Sequence, residues 1–307
     1  MRTTAVVLGF LLVVAGPAAA QQMTGQSISA LTGLVTTFTC DEHGDPDCFR
    51  YRTELGTIPT TFFTGEAVAT TLAPSGELVV GNTVETWVGG TLSREIRLDW
   101  LELPSLDVVS SLTVTGEPEV AWDIAFGPDG TLWMTGRYFP SSVCSLYTVD
   151  QVTGQASEVW TYWRDLTSIA FVGERMFLIA GTSELLEYDP ATGVERLVAD
   201  YLPQSLWVAS LSAFDGRLWS LSFVPTYPPG PQALMHLGTH NLENGDREVL
   251  VQGFDYAPGG EPAPAWTLDF ANPEQQPAAI PGVGRFGLAA IVVLIGLAGV
   301  LLARRVF

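Results

Sequence analysis

The chain contains no lysine, so all 14 of its basic residues are arginines, and its 307 residues include only three histidines and three cysteines. Thirty-three acidic residues leave a formal net charge of −19. A surface of this sign repels phosphate backbones and anionic lipid headgroups, so we expect no nucleic-acid partner. The same charge suits divalent cations or basic partners, and simple solubility explains it equally well.

Familiar catalytic motifs are missing as well. There is no Gly-x-Ser-x-Gly elbow, no His-Glu-x-x-His pair and no phosphate-binding glycine loop. His236 and His240 have the spacing of a helical metal pair, but the repeat pattern of the chain puts them on a strand. Side chains four residues apart on a strand stand about 13 Å apart and cannot share one ion. We therefore expect no catalytic residue and no obligatory cofactor.

An acidic loop is the best candidate for a cation site. Its carboxylates are Asp41, Glu42, Asp45 and Asp47. Clustered oxygens at irregular spacing suit Ca²⁺, although the loop lacks the spacing of an EF-hand, and solvated turn carboxylates are the alternative. Cys40 and Cys48 bracket this loop, and we predict a disulfide between them in an oxidising compartment. Cys144 is left over and is expected to be a buried, unreactive thiol.

The N-terminus has the pattern of an export signal. A basic start at Arg2 precedes an apolar stretch, and the small residues of 17–20 suit a signal-peptidase site. We predict a signal helix in residues 1–20 that signal peptidase removes between Ala20 and Gln21.

The C-terminus has the pattern of one membrane-spanning helix. Residues 286–303 carry no charge, and as a helix they would be about 27 Å long, close to the thickness of a hydrocarbon core. Arg304 and Arg305 follow directly and favour the cytoplasmic side, so the bulk of the chain would lie outside. The alternative is a buried helix of a soluble domain.

This tail resembles the IPTL-CTERM sorting signals, which exosortase-type membrane transpeptidases process. The matching residues are Ile280, Pro281, Phe286, Gly287, Arg304 and Arg305. Phe286 stands where the family has Trp, and Gly282 and Val283 replace its Thr-Leu pair. The resemblance covers residues 280–307. It implies an exosortase-type partner and an inner-membrane-anchored precursor that is delivered to the cell surface or the extracellular space.

Between the two signals the chain repeats. The clearest copy is Ala125–Trp133, which reads as a strand, a tight Pro-Asp-Gly turn and a second strand. Weaker copies begin at Thr71, Ala170 and Ala213, and a further pair of strand-like segments with a polar turn follows each hairpin. A period of 43 to 54 residues without an amphipathic helix predicts an all-β fold, a β-propeller of four-stranded blades.

The two ends of the repeat region complement each other. Residues 31–63 offer three strand-like segments and lack a first strand, whereas Trp266–Phe270 offers a first strand alone. We therefore predict a propeller of about five blades in residues 21–270, closed by both termini, and a linker in residues 271–279. Four or six blades, and an irregular β-sandwich, remain alternatives.

Aligned repeats suggest a ligand site. They place Ala69, Asp123, Ser168, Leu211 and Thr267 at one position of the inner strands. Flat aromatic rings beside a carboxylate bind sugars and other neutral polar ligands, so Trp122, Asp123 and Trp266 are the predicted ligand-binding residues. Packing of both Trp rings between blades is the alternative.

The Gly-Pro-Asp-Gly-x-Leu-Trp phrase is similar to the repeat of streptogramin-lyase-like, gluconolactonase-like and NHL-type propellers. That resemblance implies the fold, and families of this kind include metal-dependent lyases and lactonases as well as binding scaffolds. The leading hypothesis is an exported, surface-sorted or membrane-tethered binding module that is not an enzyme, whose extracellular ligand is a saccharide or a protein. The alternative is a divalent-cation-dependent extracytoplasmic lyase or lactonase.

Overall fold

The computed structural model describes residues 69–84, 93–138, 143–204, 206–222 and 236–250, together with the backbone of residues 23–28, 34–40, 53–57, 85–88, 91–92, 223, 235, 251–252 and 269–270. The strands, in chain order, are β1 Met23–Ile28, β2 Leu34–Cys40, β3 Thr53–Thr57, β4 Ala69–Leu72, β5 Leu78–Val88, β6 Thr91–Leu101, β7 Val108–Val114, β8 Val120–Phe126, β9 Leu132–Arg137, β10 Cys144–Val149, β11 Ala156–Tyr162, β12 Leu166–Val172, β13 Arg175–Ala180, β14 Glu184–Asp189, β15 Val194–Asp200, β16 Trp207–Phe214, β17 Arg217–Phe223, β18 Met235–His240, β19 Arg247–Gln252 and β20 Asp269–Phe270. Helix in the described residues is limited to a 3₁₀ turn at Leu202–Gln204.

The strands form four blades of an all-β propeller. Each blade is an antiparallel sheet of four strands in chain order: blade 1 is β4 to β7, blade 2 is β8 to β11, blade 3 is β12 to β15 and blade 4 is β16 to β19. The first strand of each blade lies innermost, where β8 contacts both β4 and β12, and β12 contacts β16. The predicted all-β propeller of four-stranded blades is therefore confirmed, whereas the predicted count of about five blades and the terminal helices stay predictions.

A further sheet brings the two ends of the chain together. Its strand order is β20-β1-β2-β3, so a strand near the C-terminus pairs with the first strand of the chain. The register sets Gly25 opposite Phe270 and Gln26 opposite Asp269.

The hairpin turns follow the predicted chemistry. In blade 2 the Pro-Asp-Gly turn closes with a hydrogen bond from Gly130 N to Gly127 O, and Gly130 has a φ of +81° that side chains disfavour. In blade 4 the turn is two residues, Asp215 and Gly216, both at positive φ, as a right-twisted hairpin requires.

The apolar core consists of layers between adjacent blades. One layer joins blades 1 and 2 and includes Leu98 and Met134, the next joins blades 2 and 3 and includes Leu146 and Leu178, and the third joins blades 3 and 4 and includes Phe177 and Leu218. Blades 2 and 3 are thus covered by apolar layers on both of their faces. This is why β8, β12 and β13 are apolar almost without interruption instead of alternating.

A network of charged side chains also links blade 3 to blade 4. It lies at the end of the propeller where the inner strands finish. Glu187 of β14 accepts hydrogen bonds from Arg175 and Arg196 on the two flanking strands. Both guanidinium groups also reach the turn between β18 and β19, where they donate to Leu242 O at 3.1 and 3.3 Å. The arginines hold the pKa of the Glu187 carboxyl below its usual value. Glu187 and its two arginines therefore help to hold blade 3 against blade 4.

Candidate functional site

The inner strands begin with a bulge that recurs in three blades. Pairing shifts by one residue between Ala121 and Asp123, between Leu166 and Ser168, and between Val208 and Ser210. A bulge leaves one residue outside the ladder and turns its side chain away from the regular direction. We call the side of the propeller where these strands begin the upper face.

The strand register corrects one predicted equivalence. Asp123 and Ser168 do occupy the same position, next to the bulge, but the blade 4 counterpart is Ser210 and not Leu211. Ser212 pairs with Trp219 across the hairpin of blade 4, and Ala170 pairs with Phe177 across that of blade 3. Six residues lie between the partners in both blades, so the two hairpins align on their aromatic residues. Alignment on Ala213 was wrong by one residue because the sequence phrase of blade 4 is one residue shorter.

Asp123 lies between blades and is only 7% exposed. Its Oδ2 accepts hydrogen bonds from Ser168 Oγ at 2.6 Å and from Ile169 N at 2.9 Å, both on blade 3. Its Oδ1 accepts a hydrogen bond from Ile124 N at 2.9 Å. Ser168 Oγ in turn accepts a hydrogen bond from Leu211 N of blade 4 at 2.8 Å. Asp123 therefore joins the inner strands of blades 2, 3 and 4, and as a ligand-binding residue it remains a prediction.

Trp122 is the bulged residue of blade 2 and is half-buried beside the apolar layer between blades 2 and 3. The Arg137 guanidinium lies 5.7 Å from the centre of its ring, within the range of a cation–π contact. The indole Nε1 is buried and has no hydrogen-bond partner. Packing accounts for the ring, but it leaves the N–H donor unused.

A short connection on the upper face presents an aromatic ring to solvent. Residues 163–165 link β11 of blade 2 to β12 of blade 3, and Trp163 is 64% exposed. Arg164 lies over this ring, with its Cζ 4.1 Å from the ring centre, and donates to Glu184 Oε1 at 2.7 Å. Tyr162 packs against Trp163, with their ring centres 5.9 Å apart. We call Tyr162, Trp163, Arg164 and Glu184 the Trp163 patch.

Asp165 connects the Trp163 patch to the predicted residue Trp122. Its Oδ1 lies 3.7 Å from Nη1 of Arg137, the same arginine that covers the Trp122 ring. This oxygen is buried and accepts no hydrogen bond, although 39% of the side chain is exposed. A partly open site on the upper face therefore contains an unused donor, an unused acceptor and an exposed ring.

Sequence reasoning missed Trp163, although a signal was present. Three aromatic residues occur within four positions here, at Trp160, Tyr162 and Trp163. Because a strand directs only alternate side chains to one face, it cannot bury all three against the same neighbour. Trp160 and Tyr162 share the side that packs on blade 3, where Trp160 stacks on Tyr188 with ring centres 4.6 Å apart. The third ring is displaced into the connection, where it faces solvent.

A small cavity lies among the inner strands. Its volume is about 30 Å³, room for one or two water molecules. The side chains around it are apolar or hydroxylated, and those described are Thr71, Leu72, Ile124, Ala125, Phe126, Ile169, Ala170, Phe171, Leu211, Ser212 and Ala213. None of these side chains can act as a general base or ligate a cation through a carboxylate.

The histidine pair lies on β18, as predicted. His240 is buried, and Tyr201 Oη, which donates to Gly245 O, accepts a hydrogen bond from its Nδ1 at 2.6 Å. Its Nε2 accepts a hydrogen bond from Ser220 Oγ at 2.6 Å. Burial, with a smaller contribution from the positive charge of Arg247, lowers the pKa of His240 to about 3. His240 is thus a neutral hydrogen-bonding link between blades 3 and 4.

Cys144 is buried and its thiol is free, and burial raises the pKa of this thiol to about 12. Its Sγ lies 3.0 Å from Gly136 O. A thiol in this state is a poor nucleophile.

Several predicted features lie outside the described residues. These are the signal segment with Ala20 and Gln21, the side chains of the predicted Cys40–Cys48 disulfide, the acidic loop of Asp41, Glu42, Asp45 and Asp47, the ligand candidate Trp266, and the tail with Ile280, Pro281, Phe286, Gly287, Arg304 and Arg305. Within the described chain, no helix has the length and apolar character needed to cross a membrane. Nor do three or more potential ligand side chains gather there in a way that could hold a metal ion.

Comparison with known proteins gives structural similarity only. No family model and no curated protein matches the chain. Among solved structures it is similar to a chain of a nidogen/laminin complex, with 8% identity over 82% of this chain and 98% of that one and a TM-score of 0.49. It is also similar to TolB from Acinetobacter baumannii (13% identity, 74% of this chain and 52% of that one, TM-score 0.40) and to a protein from Lactobacillus plantarum (12%, 81% and 99%, 0.42). With TM-scores below 0.5 these similarities support no functional argument, and the propeller is established by its own sheet order.

Replacing Asp123 is expected to weaken blade docking. Asp123→Ala leaves the Ser168 hydroxyl and the Ile169 N–H buried without their acceptor, which should lower the free energy of unfolding by roughly 2–4 kcal/mol. Urea denaturation followed by Trp fluorescence measures this. The matched control is Asp129→Ala, because Asp129 is an exposed carboxylate that accepts hydrogen bonds within its own turn, from Thr131. Equal stability of the two variants would contradict the role of Asp123.

The buried His240 is expected to make stability depend on pH. Its pKa is about 3 in the folded chain and near 6.5 when unfolded, so its contribution is complete above pH 6.5 and declines as the pH falls towards 3. The slope in this range should be about 1.4 kcal/mol per pH unit. Urea denaturation of the unmodified chain and of His240→Asn between pH 4 and 7 isolates this group, since the carboxylates are common to both. Parallel pH profiles would show that His240 is not the group responsible.

Proposed function

We propose that this chain is an exported β-propeller that is sorted to the cell surface or held at the membrane, and that it acts as a binding module without catalytic activity. The Trp163 patch is its binding surface. The observation that carries the proposal is the ring of Trp163, 64% exposed and aligned by Arg164, on a short connection between two packed blades. Large aromatic side chains and arginine dominate the binding energy of protein recognition surfaces, and a rigid support reduces the entropy lost on binding.

The supports for export and anchoring are in the sequence. Residues 1–20 have the pattern of a cleavable signal, and residues 280–307 combine a sorting motif, an apolar segment and a basic end. The signal peptidase and exosortase-type partners belong to this proposal. In it, the tail is a separable module that directs location while the propeller performs the binding.

Closure by a fifth blade fits this plan. The sheet formed by β20 with β1 to β3 supplies four more strands, and β20 contacts the inner strands β4 and β16 of the blades on either side. A fifth blade built from both ends would cover the outer faces of blades 1 and 4. It would also bring the propeller to its end at residue 270, directly before the linker that leads to the tail.

The absence of catalytic activity is supported by how the potential reactive groups are used. The carboxylate of Asp123 accepts hydrogen bonds between blades, and both ring nitrogens of His240 bond within the core. The residues around the cavity among the inner strands offer neither a carboxylate nor a histidine as a base or cation ligand. No observation on the described residues favours the cation-dependent lyase or lactonase, for which the predicted cation site is the acidic loop of residues 41–47.

Export is tested by protease accessibility. In the native host, a tag inserted at the exposed turn that contains Val152 should be digested by protease added to intact spheroplasts, because the propeller is expected outside the inner membrane. A tag after Phe307 should be protected until the membrane is opened, as long as the tail is uncleaved. Digestion of neither tag in intact spheroplasts would refute export.

The binding surface is tested with Trp163→Ala. Full-length protein should be retained by envelope and extracellular-polymer fractions of the native host, and this substitution should reduce retention at least tenfold because it removes the exposed ring. Trp207→Ala is the matched control, since Trp207 is an exposed Trp at the start of another inner strand, 38% accessible. Equal retention of the two variants would show that the Trp163 patch is not the binding surface.

A further inference from the structure

We infer that the site beside the Trp163 patch binds a neutral saccharide and inserts one of its hydroxyl groups between Trp122 and Asp165. The inference rests on the proposed binding function and deepens it by naming the ligand class. It uses a different set of groups, the polar atoms beneath the patch.

The first step is an imbalance in hydrogen bonding. The indole Nε1 of Trp122 and Oδ1 of Asp165 are both buried without a hydrogen-bond partner. Arg137 adjoins both side chains, over the Trp122 ring and in an ion pair with Asp165 Oδ1 at 3.7 Å. Buried polar atoms in folded proteins are nearly always paired, because each unpaired one costs about 1–3 kcal/mol. A donor and an acceptor left unused around one side chain indicate a site whose bonding is completed by something else.

The chemistry of the two atoms selects a hydroxyl group. The indole N–H can only donate and the carboxylate oxygen can only accept, so one group that does both satisfies them together. A hydroxyl does so, whereas a phosphate or carboxylate ligand would meet the negative charges of Asp165 and Glu184. An ammonium group would pair with Asp165, but it would meet Arg137 and Arg164 and leave the indole N–H unpaired.

The neighbouring ring selects a saccharide among hydroxylated ligands. Trp163 stands two residues before Asp165 and offers a wide apolar surface to solvent, with Arg164 covering part of it. Sugars present hydroxyl groups at their edge and C–H groups on their face, so one ring can pack on Trp163 while its hydroxyl enters the polar site.

Entry of a ligand hydroxyl requires a side-chain movement, because both atoms are buried. Nη1 of Arg137 and Oδ1 of Asp165 are 3.7 Å apart, which is too far for a hydrogen bond. Separating these two side chains therefore breaks an ion pair but no hydrogen bond between them.

The experiment measures binding of full-length protein in detergent to neutral hexasaccharides by titration calorimetry. The probes are cello-, laminari-, manno- and N-acetylchito-hexaose, with hexagalacturonate as the anionic comparison. We expect at least one neutral probe to bind with a Kd below about 1 mM and the anionic probe to bind more weakly. Trp122→Phe keeps the ring and removes the donor, and Asp165→Asn keeps the shape and removes the charge. Each should weaken binding roughly fivefold to twentyfold, whereas Trp207→Ala should leave it unchanged.

The outcomes separate this inference from the proposed function. Binding that both Trp122→Phe and Asp165→Asn leave within twofold, in variants with unchanged thermal midpoints, would overturn the hydroxyl site. If no neutral probe binds at 1 mM while Trp163→Ala still abolishes retention by envelope fractions, the saccharide is overturned and the binding surface stands. Loss of that retention after protease treatment of the fractions would then identify a protein partner. If Trp163→Ala also has no effect, both proposals fail.

Discussion

Contact between blades is the constraint on which the rest of this structure depends. A four-stranded sheet that is apolar on both faces cannot be stable alone, so each blade requires a neighbour on either side. Leu146 and Leu178, or Phe177 and Leu218, are fully buried only because they meet across a gap between sheets. Stability is therefore a property of the packed blades together and not of any single repeat.

Polar contacts between blades supply the register that apolar layers lack. Apolar packing tolerates sliding, whereas the bonds from Ser168 and Ile169 to the Asp123 carboxylate are satisfied at one relative position of blades 2 and 3. Tyr201 and His240 do the same deep between blades 3 and 4, and Glu187 with its two arginines does so nearer the surface. Among the described residues, Asp123, Glu187 and His240 are thus engaged in holding blades together.

On the upper face, some buried polar groups have no hydrogen-bond partner. The connection from β11 to β12 places Trp163, Arg164 and Asp165 in succession where two blades meet. Arg164 is bonded to Glu184, but the Trp122 indole and one oxygen of Asp165 are left over. Unsatisfied groups inside a packed protein are costly, and these two lie close to the exposed ring of Trp163 in the chain fold.

Much of the fold could be predicted from the sequence because local chemistry recurs with a period. Gly130 needs a positive φ, Asp150 bonds the backbone of its own turn, and alternating apolar runs separate such turns, so hairpins and their order are readable. The position of Ser210 was not readable, because pairing register follows the aromatic residue opposite and not the alanine that looks conserved between repeats. Asp123 was found as a special residue, but its bonds to blade 3 depend on a residue 45 positions away.

The sequence alone determined the all-β repeat and the acidic composition, and it carries the segments from which export and anchoring are proposed, because these depend on composition, turn chemistry and apolar length. Tertiary structure alone decided which polar groups are used and which are left. Whether Asp123, His240, Trp122 or Asp165 has a partner depends on side chains brought from other blades. Sequence spacing carries no information about such contacts, because they form only when separate sheets pack together.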